Sequence, residues 1–315
     1  MLYLQYMKNL FFILLSLFVC THLLYAQKSI QERLGYPKNT KLLIIHGDDL
    51  GVSHAENEAT TTAMVKGAVS SASIMVPCPW FSEIASYAAS HPGADLGLHL
   101  TLTSEWKYYK WGSVSGNCEV PGLLNKQGYL YSTVDSVYKQ AKLKEIEKEL
   151  RAQIEKARLA GIDFTHFDSH MGTSFGNTEY LKLYIRLGKE YKVPVLLLRS
   201  GPRSAFGVNL DSLISEKDVM ADKIYIADPV DFKNGMENYY TKVLNSIQPG
   251  LNVLIIHTAY DDKEMQAITM DHPEYGAAWR QADYNFFTSD HCKKILKDQD
   301  IHVITWREIR DKLTR

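Results

Sequence analysis

The stretch Lys41–Gly51, KLLIIHGDDLG, decides how the rest of the chain is read. Leu42 to Ile45 form an apolar run of the length expected for one strand buried on both faces. The run stops at Gly47, and two adjacent carboxylates, Asp48 and Asp49, follow at once. Two carboxylates at the end of a buried strand are costly unless positive charge sits beside them. A divalent cation meets that need, because it holds one carboxylate ionised and leaves the other free as a base. The same pair could simply cap a helix starting near His54, so the rest of the chain has to discriminate.

Working outward, the 315 residues are 45% hydrophobic with a formal net charge of -1, enough for one large core. Near-zero charge with dispersed Lys and Arg argues against nucleic acid or an anionic membrane surface as partner. Lys8, the apolar run Leu10–Val19 and the small residue Ala26 read as a signal peptide over 1–26. The mature protein is then expected to be exported, periplasmic or extracellular, without membrane association after cleavage. A polar lead-in over 27–40 and a single domain over 41–315 follow. Three cysteines remain beyond the signal segment, Cys78, Cys118 and Cys292, and no Cys-x-x-Cys pair occurs. Any metal is therefore expected on histidine and carboxylate.

Beyond residue 40 apolar runs alternate with amphipathic helices. Strands are expected at 42–46, 69–76, 95–100, 163–168, 193–199, 223–227, 252–257 and 301–305. Helices are expected at 54–66, 79–90, 137–160, 178–190 and 284–297. About eight strand-helix units in this length fit a distorted (β/α) barrel, an α/β fold, better than an open sheet. Residues 102–135 break the rhythm and form a long aromatic-rich insert after the third strand, with Trp106, Tyr108, Tyr109 and Trp111 close together.

Polar residues fall at the C-terminal ends of these strands, where barrels assemble sites. They are Asp48 and Asp49 after the first strand, His99 after the third, His166, Asp168 and His170 around the fourth, Arg199 after the fifth and His257 after the seventh. Alternation would put His166, Asp168 and His170 on one face. Two imidazoles and one carboxylate suit one divalent cation, zinc or another transition metal in preference to magnesium. Asp49, His99 and His170 are the expected ligands, with His166 and Asp168 orienting them from behind. Spacing alone does not decide which of Asp48 and Asp49 is ligand and which is base. Arg199 is a candidate to hold the base ionised or to face substrate.

HGDDLG at 46–51, LGLHLTLT at 96–103, THFDSH at 165–170 and the VLIIH run ending at His257 together resemble the YdjC-like carbohydrate deacetylases, whose relatives include chitooligosaccharide deacetylases. Two departures are visible: Met171-Gly172-Thr173 stands where relatives carry further histidines, and Thr258 where they carry proline. The resemblance implies a distorted barrel and metal-dependent removal of acetyl groups from N-acetylated saccharides. It implies His99 and His170 as ligands. By similarity to the wider polysaccharide deacetylases it implies Asp49 as the third ligand and Asp48 as base on the metal-bound water. His257, across the rim, is then the candidate acid for the leaving amine, and Trp106 and Trp111 are candidates to stack on sugar rings. Two other readings stay open: a metal hydrolase of another ester or phosphate bond on the same scaffold, and an exported non-catalytic sugar-binding protein. Oligomeric state is not legible.

Overall fold

The computed structural model describes residues 28–199, 213–215 and 218–315, so the expected signal segment 1–26 lies outside the described residues. Among the described residues seven parallel strands form one sheet with helices around it: β1 Lys41–Leu50, β2 Ser71–Ile74, β3 Leu96–Leu100, β4 Phe167–Ser169, β5 Lys223–Ile226, β6 Gly250–Ile256 and β7 Ile301–Val303. Their order is β4-β3-β2-β1-β6-β5, with β7 also paired to β1. β1 is the centre. It pairs with β6 along Lys41–Gly47, with β2 from His46 onward and with β7 over Lys41–Leu43. Leu42 to Ile45 are fully buried, as a strand covered on both faces requires.

The expected fifth strand is not a regular one. Residues 193–199 make single parallel bridges, Val195 to Phe167 and Leu198 to Ala221. Pro194 explains the interruption, since it has no N–H to give and only its carbonyl is used, by the Phe167 N–H. The curved sheet therefore has its two edges joined by isolated bridges, which is the distortion of this barrel. The fourth strand starts four residues later than expected, at Phe167.

Two expected helices are each broken in two. The long charged one divides into Val134–Gln140 and Leu143–Leu159. The last divides into Ala277–Phe287 and Asp290–Asp298, because Ser289 caps the second by accepting from the Cys292 N–H. The lead-in is more than a linker. Ser29 and Glu32 form a capping box for the helix Ile30–Leu34, whose Ile30 and Leu34 are buried with Leu42, Leu251 and Trp306.

The insert after β3 has almost no backbone ladder of its own, yet it is ordered. Buried acceptors on the helix Leu143–Leu159 replace the ladder: Glu149 accepts from the N–H groups of Val114 and Ser115, and Glu145 from that of Gly122. Gln153 bonds both the N–H and the C=O of Thr101. Val120, Leu123 and Leu130 join the core that lies beneath β3. Cys78, Cys118 and Cys292 are all unpaired. Among the described residues no helix is long and apolar enough to cross a membrane.

Candidate active site

β1 runs on past its apolar run into the carboxylate pair. Strict alternation would send the side chains of two neighbouring residues to opposite faces. The ladder with β2 shifts register between Gly47 and Leu50, and Asp49 takes a left-handed backbone with φ of 69°. Aspartate tolerates that conformation better than most residues, and a bulge re-aims side chains. Both Asp48 and Asp49 consequently line one cavity of about 900 Å3 at the C-terminal ends of the strands.

Three donor atoms converge there. Asp49 Oδ1 lies 3.4 Å from His99 Nε2 and 3.4 Å from His170 Nδ1. All three residues are buried, and Asp49 Oδ1 accepts no hydrogen bond. The outer nitrogens of the two imidazoles are each engaged by a carboxylate. His99 Nδ1 is 2.8 Å from Asp168 Oδ1, and His170 Nε2 is 3.0 Å from Glu105 Oε2. These partners assign the tautomers, so that Nε2 of His99 and Nδ1 of His170 turn lone pairs inward. Register supplies the first contact, because His99 and Asp168 are Cα partners on β3 and β4. His170 arrives differently, in a short turn after β4 where Met171 has φ of 51°.

Electrostatics favour positive charge at this point. Burial lowers the proton affinity of His170, but the Glu105 and Asp49 carboxylates reverse this and push it up to about 10. His99 is raised in the same way, with burial opposed by Asp168 and Asp48. A cation exchanged for those protons would satisfy the orphaned Asp49 oxygen and both inner nitrogens. The residues present fit a divalent cation held by two imidazoles and one carboxylate.

Arg280 completes the site, and it was not anticipated. It is buried on the helix Ala277–Phe287, with one guanidinium nitrogen 2.8 Å from Asp49 Oδ2 and another 2.6 Å from Glu56 Oε1. Its Nε donates to the Tyr275 carbonyl. Burial would raise the Asp49 pKa, but the guanidinium holds it well below the usual carboxylate range. Arg280 also occupies one Asp49 oxygen and so selects the other for the converging donors. Asp48 is handled separately: its Oδ1 is 2.9 Å from His46 Nε2, which is also 2.8 Å from Asp168 Oδ2. Alternation along β1 places His46 and Asp48 on one face, a signal that the sequence did carry.

His257 follows β6 and is half-buried in the cavity wall. Burial, helped by the nearby Arg280 charge, outweighs Asp49 and brings it down to about 4. Its backbone N–H donates to Asp283, whose carboxyl burial pushes up to about 7.

The remaining expected residues divide. Asp168 and Trp106 are at the site, and Trp106 lines the cavity with its ring 5.7 Å from the Arg280 guanidinium. Trp111 does not line it. Its ring is buried against Trp106 at 5.6 Å and behind His170 at 6.4 Å, and its Nε1 donates to the Thr103 carbonyl. His166 lies one layer deeper than the three converging residues, edge-on to His46 and stacked on Trp306. A side chain at Gly97 would collide with the His166 ring at 2.3 Å, so that glycine makes the deep position available. Arg199 is elsewhere. It pairs with Asp222 at the exposed surface near residues 28–33, because the shear of the sheet carries the end of its segment down beside the start of β5.

Comparison with known proteins bears on the family and the fold. The sequence model of a family described as YdjC-like protein matches residues 42–298. A carbohydrate deacetylase of Thermus thermophilus is 30% identical over 286 residues, covering 90% of this chain and 98% of that protein. One of Brevibacillus brevis is 28% identical over 271 residues, covering 85% and 99%. Among solved structures, an Enterococcus faecalis protein described as a cellobiose-phosphate cleavage protein matches with a TM-score of 0.71 at 22% identity, over 86% of this chain and 99% of that one. That likeness is one of fold.

Proposed function

Because the chain belongs to the YdjC-like family, we propose that it is a carbohydrate deacetylase that hydrolyses N-acetyl groups of saccharides with a divalent cation held by Asp49, His99 and His170. The observation that carries this reading is the buried, unbonded Asp49 Oδ1 facing one nitrogen of each of two imidazoles. Two nitrogens and one oxygen suit zinc or another transition metal more than magnesium. Such a cation polarises the acyl carbonyl and makes the attacking water more acidic.

The chain's own residues supply the rest. Asp48 shares the cavity with the cluster, and Arg280 does not touch it, so it is the carboxylate left to take the proton of the attacking water. Asp49 stays ionised beside Arg280 and serves as ligand. His257 is neutral at rest because its proton affinity is low; it acts as acid by first taking up the proton that the attacking water releases, and then gives it readily to the departing nitrogen, whose affinity is much higher. Asp283 fixes the backbone from which His257 projects. The amide and one water become a protonated amine and acetate.

A phosphate-directed hydrolase on the same scaffold would call for a free cation in the cavity. Among the described lining residues the Lys or Arg side chain is Arg280, whose ends are occupied by Asp49 and Glu56, while His99 and His170 are held by carboxylates. A neutral acetylated sugar suits that lining better. A sugar-binding protein without catalysis would have no use for the converging donors. The apolar run Leu10–Val19 supports export of the enzyme to a periplasmic or extracellular site. The test is acetate release from a panel of N- and O-acetylated sugars, with and without chelator. Release abolished by chelator and restored by zinc supports the proposal. Undiminished release after metal removal would sink the metal-dependent mechanism.

A further inference from the structure

The cluster places two buried carboxylates on one imidazole nitrogen. Asp48 Oδ1 and Asp168 Oδ2 lie 2.9 and 2.8 Å from His46 Nε2. Asp48 is the base in the reading above, and Asp168 is the acceptor that orients ligand His99. His46 itself is fully buried and does not line the cavity, so it cannot touch substrate. We propose that His46 is a positioning residue of the hydrolytic site, whose one nitrogen fixes the base carboxylate of Asp48 and, through Asp168, the imidazole of His99. This rests on Asp48 being the base.

The physical reason is repulsion. Two carboxylates converging in a buried place push apart unless a donor sits between them. His46 is that donor, and Ser73 adds a second hydrogen bond to Asp168 Oδ2 at 2.8 Å. The ring cannot swing away. The His166 ring packs edge-on against it at 4.9 Å, and Trp306 stacks behind His166. Its other nitrogen, Nδ1, leans on Ser71 Oγ at 3.4 Å, and that hydroxyl donates to Asp95. Burial weakens proton binding at His46, yet the Asp168 and Asp48 carboxylates outweigh it and raise its proton affinity, which favours the N–H on the shared nitrogen. Holding Asp48 by Oδ1 leaves Oδ2 for the proton transfer, and the same nitrogen sets the distance between base and ligand.

The experiment compares His46→Leu and His46→Gln for kcat, KM, bound metal and thermal midpoint. Leucine keeps apolar bulk but has no donor, whereas the glutamine amide reaches the Nε2 position with two N–H groups. The expected result is a loss of kcat of about 100-fold in His46→Leu with KM within about twofold, and recovery of at least about tenfold of that loss in His46→Gln. Equal losses in both variants, in step with the thermal midpoint, would show a merely structural role and overturn the proposal. So would an unchanged kcat in His46→Leu. If His46→Leu does not fold, His46→Asn replaces it, because its shorter amide falls short of Asp48. Asparagine and glutamine variants of equal kcat would then overturn the proposal. Asp48→Asn belongs in the same assay. If it stays active, the base reading fails and takes this proposal with it; if it is inactive while His46→Leu is active, this proposal alone fails.

Discussion

The two ends of the sheet both collect charge and settle it differently. At the N-terminal end, Asp163 has a cation on each oxygen: Arg310 and Arg315 on Oδ1 at 2.8 and 3.1 Å, Arg307 on Oδ2 at 2.8 Å. Its side chain is half exposed. At the C-terminal end, Asp49 has Arg280 on one oxygen and no hydrogen bond on the other, which faces two imidazole nitrogens at 3.4 Å, with the whole group buried. A matched, half-wet network is cheap to keep and ties the last helix to the barrel. A buried oxygen left without a hydrogen bond costs free energy, and persists where another ligand is to be held. Counting charges would not separate the two ends. Satisfaction of each atom does.

The comparison breaks most sharply on the carboxylate pair. Asp48→Asn is expected to lose about 10³-fold in kcat while keeping stoichiometric metal, since shape and burial hardly change. Asp49→Asn, like His99→Ala and His170→Ala, is expected to lose the metal first, with part of the rate in Asp49→Asn restored by excess metal. Metal content by elemental analysis alongside kcat decides this. Metal lost from Asp48→Asn and retained in Asp49→Asn would reverse the two roles. A step lower, His257→Gln should cost about 100-fold in kcat with metal unchanged, measured by acetate release.

The two tryptophans sharpen the contrast between cavity and support. Trp106→Ala should raise KM about tenfold, because that ring lines the cavity. Trp111→Ala removes a ring buried behind His170 and should cost about 3–5 kcal/mol of stability, read from denaturant midpoints. If both variants shift KM alone, the assignment of Trp111 to the interior is wrong.

The smallest effect is expected at the opposite end. Asp163→Asn should cost about 1 kcal/mol and leave kcat unchanged, since the carboxylate is half exposed and solvent screens its pairs. Burial opposes ionisation, but Arg310 and Arg307 bring Asp163 down to about 2 from its ordinary value near 4. A depressed carboxylate contributes stability that is complete above the unfolded-state value and is lost as pH falls through the folded one. The gap between wild type and Asp163→Asn should therefore be full at neutral pH, shrink below about pH 4 and close near pH 2. A gap that widens in acid would contradict the ion-pair account.

Much of this was legible in the residues themselves. The apolar run Leu42–Ile45 specified a strand buried on both faces, and β1 is the central strand. Alternating strands and helices specified a parallel sheet, because a parallel connection needs a covering helix. Ligand-type residues at successive strand ends pointed to one rim, and Asp49, His99 and His170 do converge there.

Other features were decided by tertiary structure. Period-two alternation says that Asp48 and Asp49 face apart, and only the bulge and the left-handed Asp49 bring them together. Arg280 reaches Asp49 across 231 residues of chain, from a helix that starts earlier than its apolar pattern suggests. Nothing local marks an arginine as the partner of a carboxylate so far away in sequence. Glu105, inside an aperiodic insert, becomes the acceptor for His170 because buried side chains of another helix fold that insert back over the rim. Arg199 had the right residue type at the expected strand end, but its side chain pairs with Asp222 at the exposed surface, away from the cavity that the preceding Leu196, Leu197 and Leu198 line. Sequence sets which groups are available and the periodicity of each element. Register, bulges and long-range ion pairs set which atoms meet, because they depend on contacts between segments that no single stretch contains.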